Sequence, residues 1–381
     1  MTGSDRVGSG LLAGCSADQA LLAETTRRFL DDTSPLSTSS ERSRVDPAWW
    51  QRGANIGWTL LLVGEADGGG SVSGSGLVDA TLLAEQFGRV AAGGPLIPCN
   101  VVAQTLSTSA STEQRAGPLA ALLSGMATAA WVPPSYDDAT GRSTLGVRVG
   151  DDHDRVTLSG TVDGVEAAGT AEWLLIAADD HRGPTQLLIP AARPGVTIDE
   201  LESVDLTRRL WRVQLDGVDA TDAVVGRRGT AQDDLARQLR TATVLQCAEL
   251  AGACREVLDF TIEYALNRYS FGRPIASYQA LKHRFAEMRL NLETIVAITA
   301  AAADAAPTPS AGELASAAKA SVSAHALALI QDCVQMHGGI GLTWEHPLHV
   351  YLRRAMLHAA TFGTIEFHRQ RVAVEQIREA G

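Results

Sequence analysis

Two segments in the C-terminal third of the chain carry residue types that suit a phosphate-bearing ligand. Residues 268–275 read Arg-Tyr-Ser-Phe-Gly-Arg-Pro-Ile, and the Arg268 guanidinium could make paired, charge-assisted hydrogen bonds to phosphate oxygens. Residues 335–341 read Gln-Met-His-Gly-Gly-Ile-Gly, and consecutive glycines let the backbone approach a ligand closely. Each segment also has a simpler interpretation, a turn between helices with a surface arginine for the first and a glycine helix cap for the second.

Histidine and cysteine patterns typical of metal sites or disulfides are not evident in the sequence. The histidines near the second segment lack a metal-ligand spacing, and we interpret His337 as a polar packing residue. The five cysteines form no C-x-x-C pair, so we expect reduced, small core residues of a cytosolic protein. The sequence therefore predicts no metal site and no disulfide framework.

Composition narrows the class of protein. With 381 residues, 45% of them hydrophobic, the chain is long enough for two or three domains with a sizeable core. A net charge of −12 argues against general binding to nucleic acid or to anionic membranes. Residues 1–19 lack the pattern of a signal peptide, and no apolar run approaches the ~18 residues of a membrane span. We expect a cytoplasmic protein without membrane insertion.

The hydrophobic period changes twice along the chain. It is helical in residues 1–125, alternates in residues 126–230 and is helical again in residues 231–381. Ser16 is expected to cap the first helix, and Gly338-Gly339 to end a long late one. These patterns predict an α+β protein with an N-terminal helical domain, a middle antiparallel β domain and a C-terminal four-helix bundle.

With these elements in place, the chain resembles the acyl-CoA dehydrogenase family over essentially its whole length. Family members carry R-x-x-F-G-x-x-I followed by a Q-A pair, here residues 268–275 and 279–280. They also carry a helix that ends in Q-x-x-G-G-x-G, here residues 335–341. The resemblance implies the acyl-CoA dehydrogenase fold, FAD as cofactor, and α,β-dehydrogenation of an acyl-CoA. It also implies that the C-terminal bundle is the core of oligomerisation.

The resemblance also implies which residues bind the cofactor. In the family, the arginine at position 268 binds the FAD pyrophosphate and the aromatic residue at 271 packs near the adenosine. The glycine turn contacts the adenine and ribitol side of an FAD across a subunit interface, and the threonine matched by Thr364 touches the flavin. The expected cofactor-binding residues are Arg268, Phe271, Gln279, Gln335, Gly338, Gly339 and Thr364.

The catalytic base of the family is missing. Dehydrogenation needs a carboxylate to take the proton from the α-carbon, and the family carries it in a Y-E-G-T turn. Here that turn reads Thr-Phe-Gly-Thr, which places Phe362 at the glutamate position. Some relatives place the glutamate on the preceding long helix, where this chain has Ala242. Nearby carboxylates are interpreted as solvated or helix-pairing groups: Glu249, Glu256 and Glu366.

The motifs that hold the flavin ring are also lost. The family's T-E-P-G-x-G-S-D is replaced by residues 131–138, Trp-Val-Pro-Pro-Ser-Tyr-Asp-Asp, and its W-I-T-N by residues 164–169. The chain thus keeps the residues that, in the family, face the adenine-diphosphate half of FAD. It has lost those that face the flavin ring and the acyl thioester. This pattern resembles the non-catalytic subunit of the α2β2 acyl-CoA dehydrogenases of actinobacterial steroid catabolism.

That resemblance implies a set of partners. One is a homologous catalytic subunit that carries the glutamate and binds the acyl-CoA, for which a steroid side-chain thioester is the candidate. The other is an electron-transfer flavoprotein or similar acceptor. Two alternatives stay open. One is a self-sufficient homomeric flavoenzyme with an unrecognised base or with monooxygenase-like chemistry. The other is a flavin-free scaffold.

Overall fold

The computed structural model describes residues 10–34, 46–152 and 155–380. Residues 1–19, in which the sequence predicts no signal peptide, lie partly outside the described residues. Along the described chain, a group of helices is followed by a β-sheet and then by a second group of helices. This is the predicted order of regions, while the domain borders after residues 125 and 230 stay a prediction.

The N-terminal region is a set of helices that bury their apolar faces on one another. Ser16 caps the first of them as predicted, because its Oγ accepts a hydrogen bond from the Gln19 N–H at 3.2 Å. The rings of Trp50 and Phe87 contact Trp58 at centroid distances of 5.9 and 4.7 Å and fill the interior. The helices are α1 (Ala17–Thr33), α2 (Pro47–Ile56), α3 (Gly76–Arg89), α4 (Leu96–Ser109), α5 (Thr112–Ala116) and α6 (Pro118–Leu123).

The middle region is built on one large sheet and a separate small hairpin. Its strands are β1 (Ala129–Val132), β2 (Ser135–Asp137), β3 (Arg142–Thr144), β4 (Val147–Asp152), β5 (Arg155–Glu166), β6 (Trp173–Asp179), β7 (Thr185–Pro190), β8 (Val196–Leu201), β9 (Leu210–Asp219) and β10 (Val224–Val225). The sheet has the order β10-β7-β6-β4-β5-β9-β8, β1 lies beside β6, and β2 and β3 form the separate hairpin. Most pairs are antiparallel as predicted, but β6 runs parallel to both β1 and β4.

The C-terminal region is helical again. Its helices are α7 (Gln232–Asn267), α8 (Gln279–Asp304), α9 (Ala311–His337), α10 (Leu348–Ala360) and α11 (Ile365–Ala380). Between α7 and α8, the strands β11 (Tyr269–Ser270) and β12 (Arg273–Pro274) pair as a two-stranded hairpin. The central helix α9 packs against α7, α8, α10 and α11. It ends at Gly338, with φ +62°, as the sequence predicts.

The two helical regions share one apolar core, whereas the sheet has a core of its own. Helices α3 and α7 cross so closely that no side chain fits between their backbones. A Cβ at Gly88 would lie 1.8 Å from the Glu249 carbonyl oxygen, and one at Gly252 would lie 1.9 Å from the Glu85 carbonyl oxygen. This crossing fixes the position of α7 against the N-terminal region, and with it the position of Glu249.

Three further findings concern the described residues. No helix among them combines the length and the apolar character that crossing a membrane requires. Within the same residues, no three His, Cys, Asp or Glu side chains are arranged to hold a metal ion. All five cysteines are free; four are buried and Cys15 is half-buried.

Candidate functional site

Six of the seven predicted cofactor-binding residues lie at one end of the C-terminal helices. Helix α7 ends just before Arg268, α8 begins at Gln279, and α9 ends shortly after Gln335. An ion pair of 2.6 Å between Arg284 of α8 and Asp332 of α9 holds the ends of these two helices together. We call the following residues the bundle-end site: Arg268, Phe271, Gln279, Gln335, Gly338 and Gly339.

His337 joins the two sequence motifs of the bundle-end site. Its ring is 5% exposed, stacks on Tyr264 at 4.4 Å, and its Nδ1 lies 2.9 Å from the Cys333 carbonyl oxygen. The Arg268 N–H donates to the Tyr264 carbonyl at 2.8 Å, one helical turn back, while His337 directly precedes Gly338. One buried ring thus sets the spacing between the guanidinium and the glycine turn, and His337 is the packing residue that the sequence predicts.

The bundle-end site faces outward. All six of its residues are exposed, and the Phe271 side chain is 96% exposed. A Cβ at Gly338 or Gly339 would meet nothing within 4 Å, so the backbone there is open to a ligand. Large apolar side chains around it are exposed as well: Leu266, Tyr269, Ile340, Leu342 and Trp344. An exposed arginine, open backbone and apolar surface together suit a nucleotide-like ligand held against a second protein surface.

The predicted catalytic positions lie elsewhere, between α7, β1 and the turn before α11. The Phe362 ring packs on the Trp131 ring of β1 at 5.1 Å. Trp131 Nε1 donates to Gln238 Oε1 at 3.1 Å, and Gln246 Nε2 donates to the hydroxyl of the threonine before Phe362 at 2.8 Å. Ala242 lies between these two glutamines on the same face of α7. Both positions where the family carries a glutamate therefore converge on one place, and neither has a basic group.

The segment that replaces the flavin-ring motif folds against the same turn. Tyr136 of β2 packs on Phe367 of α11 at 5.0 Å, and Asp138 accepts a hydrogen bond of 2.5 Å from the Thr364 hydroxyl. The Thr364 Oγ also accepts the Phe367 N–H at 3.2 Å, which caps the start of α11. Thr364, the seventh predicted cofactor residue, is thus placed apart from the other six and bonds within its own chain.

A buried ion cluster, which the sequence analysis missed, lies farther along α7. Arg208 Nη2 donates to both oxygens of Glu249 at 2.6 and 2.7 Å, and Arg208 also pairs with Glu166. Arg354 pairs with Asp205 and lies 3.4 Å from Glu249. The cluster connects the end of β5, the loop between β8 and β9, α7 and α10. These five residues are called the ion cluster below.

The interpretation of Glu249 as a solvated or helix-pairing group is wrong, because its side chain is fully buried. Its partners come from positions 41 residues earlier and 105 residues later, which no local pattern reveals. One signal was present: Glu249 is the single charge among residues 241–254, and a lone charge in a helix that is apolar all round points to a buried ion pair. Glu256 is partly exposed and Glu366 is exposed. Each pairs with a nearby side chain, as expected.

Electrostatics argue against Glu249 as a general base. Burial alone raises its pKa, but Arg208, His358 and Arg354 outweigh burial and hold the pKa at about 2. His358 Nε2 lies 3.2 Å from Glu249, and burial lowers the pKa of His358 to about 4, so that ring is neutral at pH 7. A carboxylate with a pKa of about 2 is a poor general base near neutral pH.

A buried lysine completes the surroundings of the Phe362 turn. Lys319 of α9 is fully buried, and its Nζ donates to Gln246 Oε1 and to the His358 carbonyl oxygen. Burial lowers the pKa of Lys319 to about 8. These hydrogen bonds hold α7, α9 and α10 together beside Phe362, so we interpret Lys319 as a structural group.

Unfavourable backbone conformations mark the same three places, the Phe362 turn, the ion cluster and the bundle-end site. Among the described residues, the non-glycine residues with positive φ are Ala91, Ala167, Phe271 and Phe362, at +47°, +65°, +51° and +57°. The Ala91 carbonyl accepts a hydrogen bond from Arg354 of the ion cluster, and Ala167 follows its Glu166. Such strain persists where the surrounding structure fixes it and is common at functional sites. Three of the four residues lie around the Phe362 turn and the ion cluster, and the fourth lies in the bundle-end site.

Comparisons with known proteins agree with this architecture. Residues 16–126 match the family model described as acyl-CoA dehydrogenase, N-terminal domain, and residues 233–376 match that of the acyl-CoA dehydrogenase C-terminal domain. Acyl-CoA dehydrogenase IpdE2 of Mycobacterium tuberculosis strain H37Rv is 30% identical over 318 residues, which is 83% of this chain and 82% of that protein.

Solved structures show the same fold. The Tcur3481-Tcur3483 steroid ACAD G363A variant has a TM-score of 0.83 and 26% identity, over 95% of this chain and 98% of that one. The ChsE4-ChsE5 complex from Mycobacterium tuberculosis has a TM-score of 0.82 and 21% identity, over the same shares of the two chains.

Helices before and after a β-sheet, with an R-x-x-F-G hairpin beside a glycine turn, are the architecture of the acyl-CoA dehydrogenase class of proteins. The chain belongs to the acyl-CoA dehydrogenase family. The fold predicted from the sequence is confirmed, including the helical regions on either side of the sheet.

Proposed function

We propose that this chain is the subunit of a heteromeric, FAD-dependent acyl-CoA dehydrogenase that completes the cofactor site of a homologous catalytic partner. The observation that carries the proposal is the contrast between an open bundle-end site and a Phe362 turn without a base. Helix α10 has 13 residues, so about 20 Å separates the glycine turn before it from the Phe362 turn after it. The residues for the adenine-diphosphate half of FAD and the position of the catalytic base therefore lie at two separate places. In this proposal the chain keeps only the first.

The residues present fit one half of FAD and not the other. At the bundle-end site, the Arg268 guanidinium is free to pair with a diphosphate, and the open backbone at Gly338 and Gly339 can take an adenine or ribitol edge. At the Phe362 turn, the packed rings of Phe362 and Trp131 occupy the position of the base. We therefore expect one flavin for each pair of chains, with its ring on the partner.

In this arrangement the chain binds and orients rather than reacts. When bound, the isoalloxazine accepts the hydride that leaves the β-carbon, and the partner's glutamate takes the α-proton. Arg268 neutralises the diphosphate charge, and the surrounding apolar side chains exclude water from the subunit contact. The acceptor of the electrons is then an electron-transfer flavoprotein or a similar protein, and the complex works in the cytoplasm.

The nature of the substrate is a finer proposal. The solved structure that is 26% identical to this chain is that of a steroid ACAD, and its name, Tcur3481-Tcur3483, gives two components. We propose the same class of substrate here, a steroid side chain held as a CoA thioester on the partner. A closed site in this chain leaves volume in the assembly for a bulky ring system.

The test is co-expression of this chain with a homologous chain that carries the glutamate, encoded beside it. The expected product is a yellow heteromer that oxidises acyl-CoA, whereas this chain alone retains little FAD. Arg268→Ala in the complex should remove most of the flavin, because a charge-assisted pair with the diphosphate is lost. Flavin absorbance per protein after gel filtration is the measurement.

Arg289→Ala is the matched control, since Arg289 is a half-exposed arginine of α8 that pairs with Glu293 at 2.6 Å. It should leave the flavin content unchanged. Unchanged flavin in the Arg268 variant would favour a flavin-free scaffold. An active, flavin-loaded dehydrogenase made of this chain alone would favour a self-sufficient enzyme instead.

A further inference from the structure

Residues 338–347 connect the glycine turn of the bundle-end site to α10 and are called the turn loop below. Histidine rings pack at both of its ends. The ring of His337, directly before the loop, and the ring of His346, near its end, lie 4.5 Å apart between centroids. The His349 ring, in the first turn of α10, packs on the Trp344 ring at 4.8 Å. The backbone of the glycine turn is thus held in place through these rings.

His346 fixes where α10 begins. Its Nδ1 accepts a hydrogen bond from the Leu348 N–H at 3.3 Å. The first N–H groups of a helix lack partners within the helix, and Pro347 at the N-cap position provides no side-chain acceptor. Because Nδ1 accepts this bond, the proton of the neutral ring lies on Nε2. His346 therefore holds the start of α10 only while its ring is neutral.

The hydrogen bonds of the other two rings also fit the neutral form. His349 Nε2 lies 3.3 Å from the Trp344 carbonyl oxygen, which can only accept, so the proton lies on Nε2. The Nδ1 of His349 is buried and has no hydrogen-bond partner in the described part of the chain. His337 Nδ1 donates to the Cys333 carbonyl oxygen at 2.9 Å. A second proton on His349 would leave a buried N–H without an acceptor, which costs free energy.

The surroundings of His346 oppose a positive charge on its ring. Titratable and charged groups that face it, or face the rings packed on it, come from α7, α9, α10 and the turn loop: Tyr264, His337, His349, Arg353 and Glu345. The acidic one, Glu345, is exposed, and its pKa is lowered by hydrogen bonds from its own backbone and from Thr343. Burial, followed by His337 and His349, lowers the pKa of His346 from 6.5. The partial positive charge at the start of α10 acts in the same direction.

We infer that His346 is a positioning residue that makes flavin retention at the bundle-end site sensitive to acid: the neutral ring holds the turn loop in its binding shape, and protonation releases the loop. The inference rests on the proposed function, because it assumes that a flavin dinucleotide contacts the glycine turn. It goes further by giving that contact a regulation, which acts through the loop behind the glycines and needs no change in any group that touches the ligand.

The sign of the effect follows from the two states of the loop. In the released loop the His346 ring regains its ordinary pKa of 6.5, whereas in the held loop the pKa is lower. Above pH 6.5 both states bind the same number of protons. As the pH falls below 6.5, only the released loop takes up the proton, so the held loop and its flavin are lost. At about pH 5.5, one histidine with an ordinary pKa weakens the held state by about tenfold.

The decisive variant is His346→Asn. The asparagine Oδ1 takes the place of Nδ1 and can accept the Leu348 N–H, but it does not take up a proton in this pH range. Fluorescence titration of the apo-heteromer with FAD, at about pH 7.5 and about pH 5.5, is the measurement. FAD binding to the wild type should weaken by about tenfold or more on acidification, and the variant should lack about tenfold of that loss. Equal losses in the two proteins, or no loss in the wild type, would overturn the inference.

His346→Phe is the complementary variant, since it keeps a ring against His337 and removes the acceptor. FAD binding should already be weaker at about pH 7.5, and the contribution of this position to the acid loss should disappear. A merely structural ring would give the opposite order, in which phenylalanine is tolerated, asparagine weakens binding, and both variants keep the wild-type pH profile. That result would also show the inference to be wrong.

His181→Asn is the matched control, because His181 is a 63% exposed histidine of the middle region that lies 2.9 Å from Asp180. It should keep the full acid loss of the wild type. The Arg268 variant separates the two levels of the argument. If Arg268→Ala loses flavin while His346→Asn keeps the wild-type pH profile, only the acid-sensitive loop fails. If flavin content does not depend on Arg268 at neutral pH, the proposed function fails as well.

Discussion

At the scale of single residues, Phe362 lies in surroundings that suit an apolar ring. Its ring packs on Trp131, and the threonine before it is held by Gln246. Lys319 in turn holds Gln246 through Oε1. The surrounding side chains are therefore arranged for an apolar ring, and a carboxylate placed there would face apolar surface without a substrate carbon in reach.

We predict that Phe362→Glu does not create a second active site. The test uses a heteromer in which the partner's catalytic glutamate has been substituted, so that any activity must come from this chain. Stopped-flow reduction of the flavin by acyl-CoA should stay at the background rate, because the proposed function places the ring and thioester sites on the partner. Recovery of acyl-CoA-dependent reduction in this complex would show that the site is open after all.

At the scale of elements, the crossing of α3 and α7 positions most of what the two sites need. Gly88 and Gly252 let the two backbones touch, and Glu249 lies on the crossing turn of α7. Toward its N-terminus, α7 carries Ala242. At its C-terminus, it ends at the Arg268 hairpin. A single long helix thus links the Phe362 turn, the ion cluster and the bundle-end site.

We predict that Gly252→Ala destabilises the chain by about 3 kcal/mol or more, because its Cβ meets the backbone of α3 at a distance that only movement of the helices can relieve. Urea unfolding followed by circular dichroism measures the change. Gly312→Ala near the start of α9 is the control: its Cβ would meet nothing within 4 Å, and it should be neutral or stabilising by about 0.5–1 kcal/mol. Similar stabilities for the two variants would contradict the close crossing.

At the scale of the whole molecule, the ion cluster connects the sheet, which has a core of its own, to the two helical regions, which share another. Arg354 donates to the Ala92 carbonyl of the N-terminal region at 3.0 Å and pairs with Asp205 of the middle region. Glu249 and Arg208 connect the middle region to α7. Since removing one partner leaves the others buried without compensation, the cluster holds the three regions in one arrangement.

We predict that Glu249→Gln lowers the free energy of unfolding by about 3–5 kcal/mol at pH 7. The pKa of Glu249 is about 2 in the folded chain against 4.5 for a free carboxyl, so its contribution is complete above pH 4.5 and is lost as the pH falls towards 2. The pKa of His358 is lowered from 6.5 to about 4, which also makes stability fall with acid between these values. Urea unfolding across this pH range should show a shallower acid loss in the variant.

Glu256→Gln on the same helix is the control, because Glu256 is 37% exposed and lies 3.8 Å from Arg89. Its effect should be within about 1 kcal/mol. Equal effects at the two positions would mean that the buried cluster does not hold the regions together.

The sequence by itself determined the order of elements, the family, and the motifs of both sites. Local patterns sufficed for these, because the Ser16 cap, the Gly338 turn and the R-x-x-F-G motif depend on neighbours in the chain. The tertiary structure alone decided that Thr364 bonds to Asp138, that Glu249 is buried in an ion cluster, and that Phe271 is strained and exposed. Those facts depend on contacts between residues far apart in sequence, or on backbone angles that neighbouring residue types do not reveal.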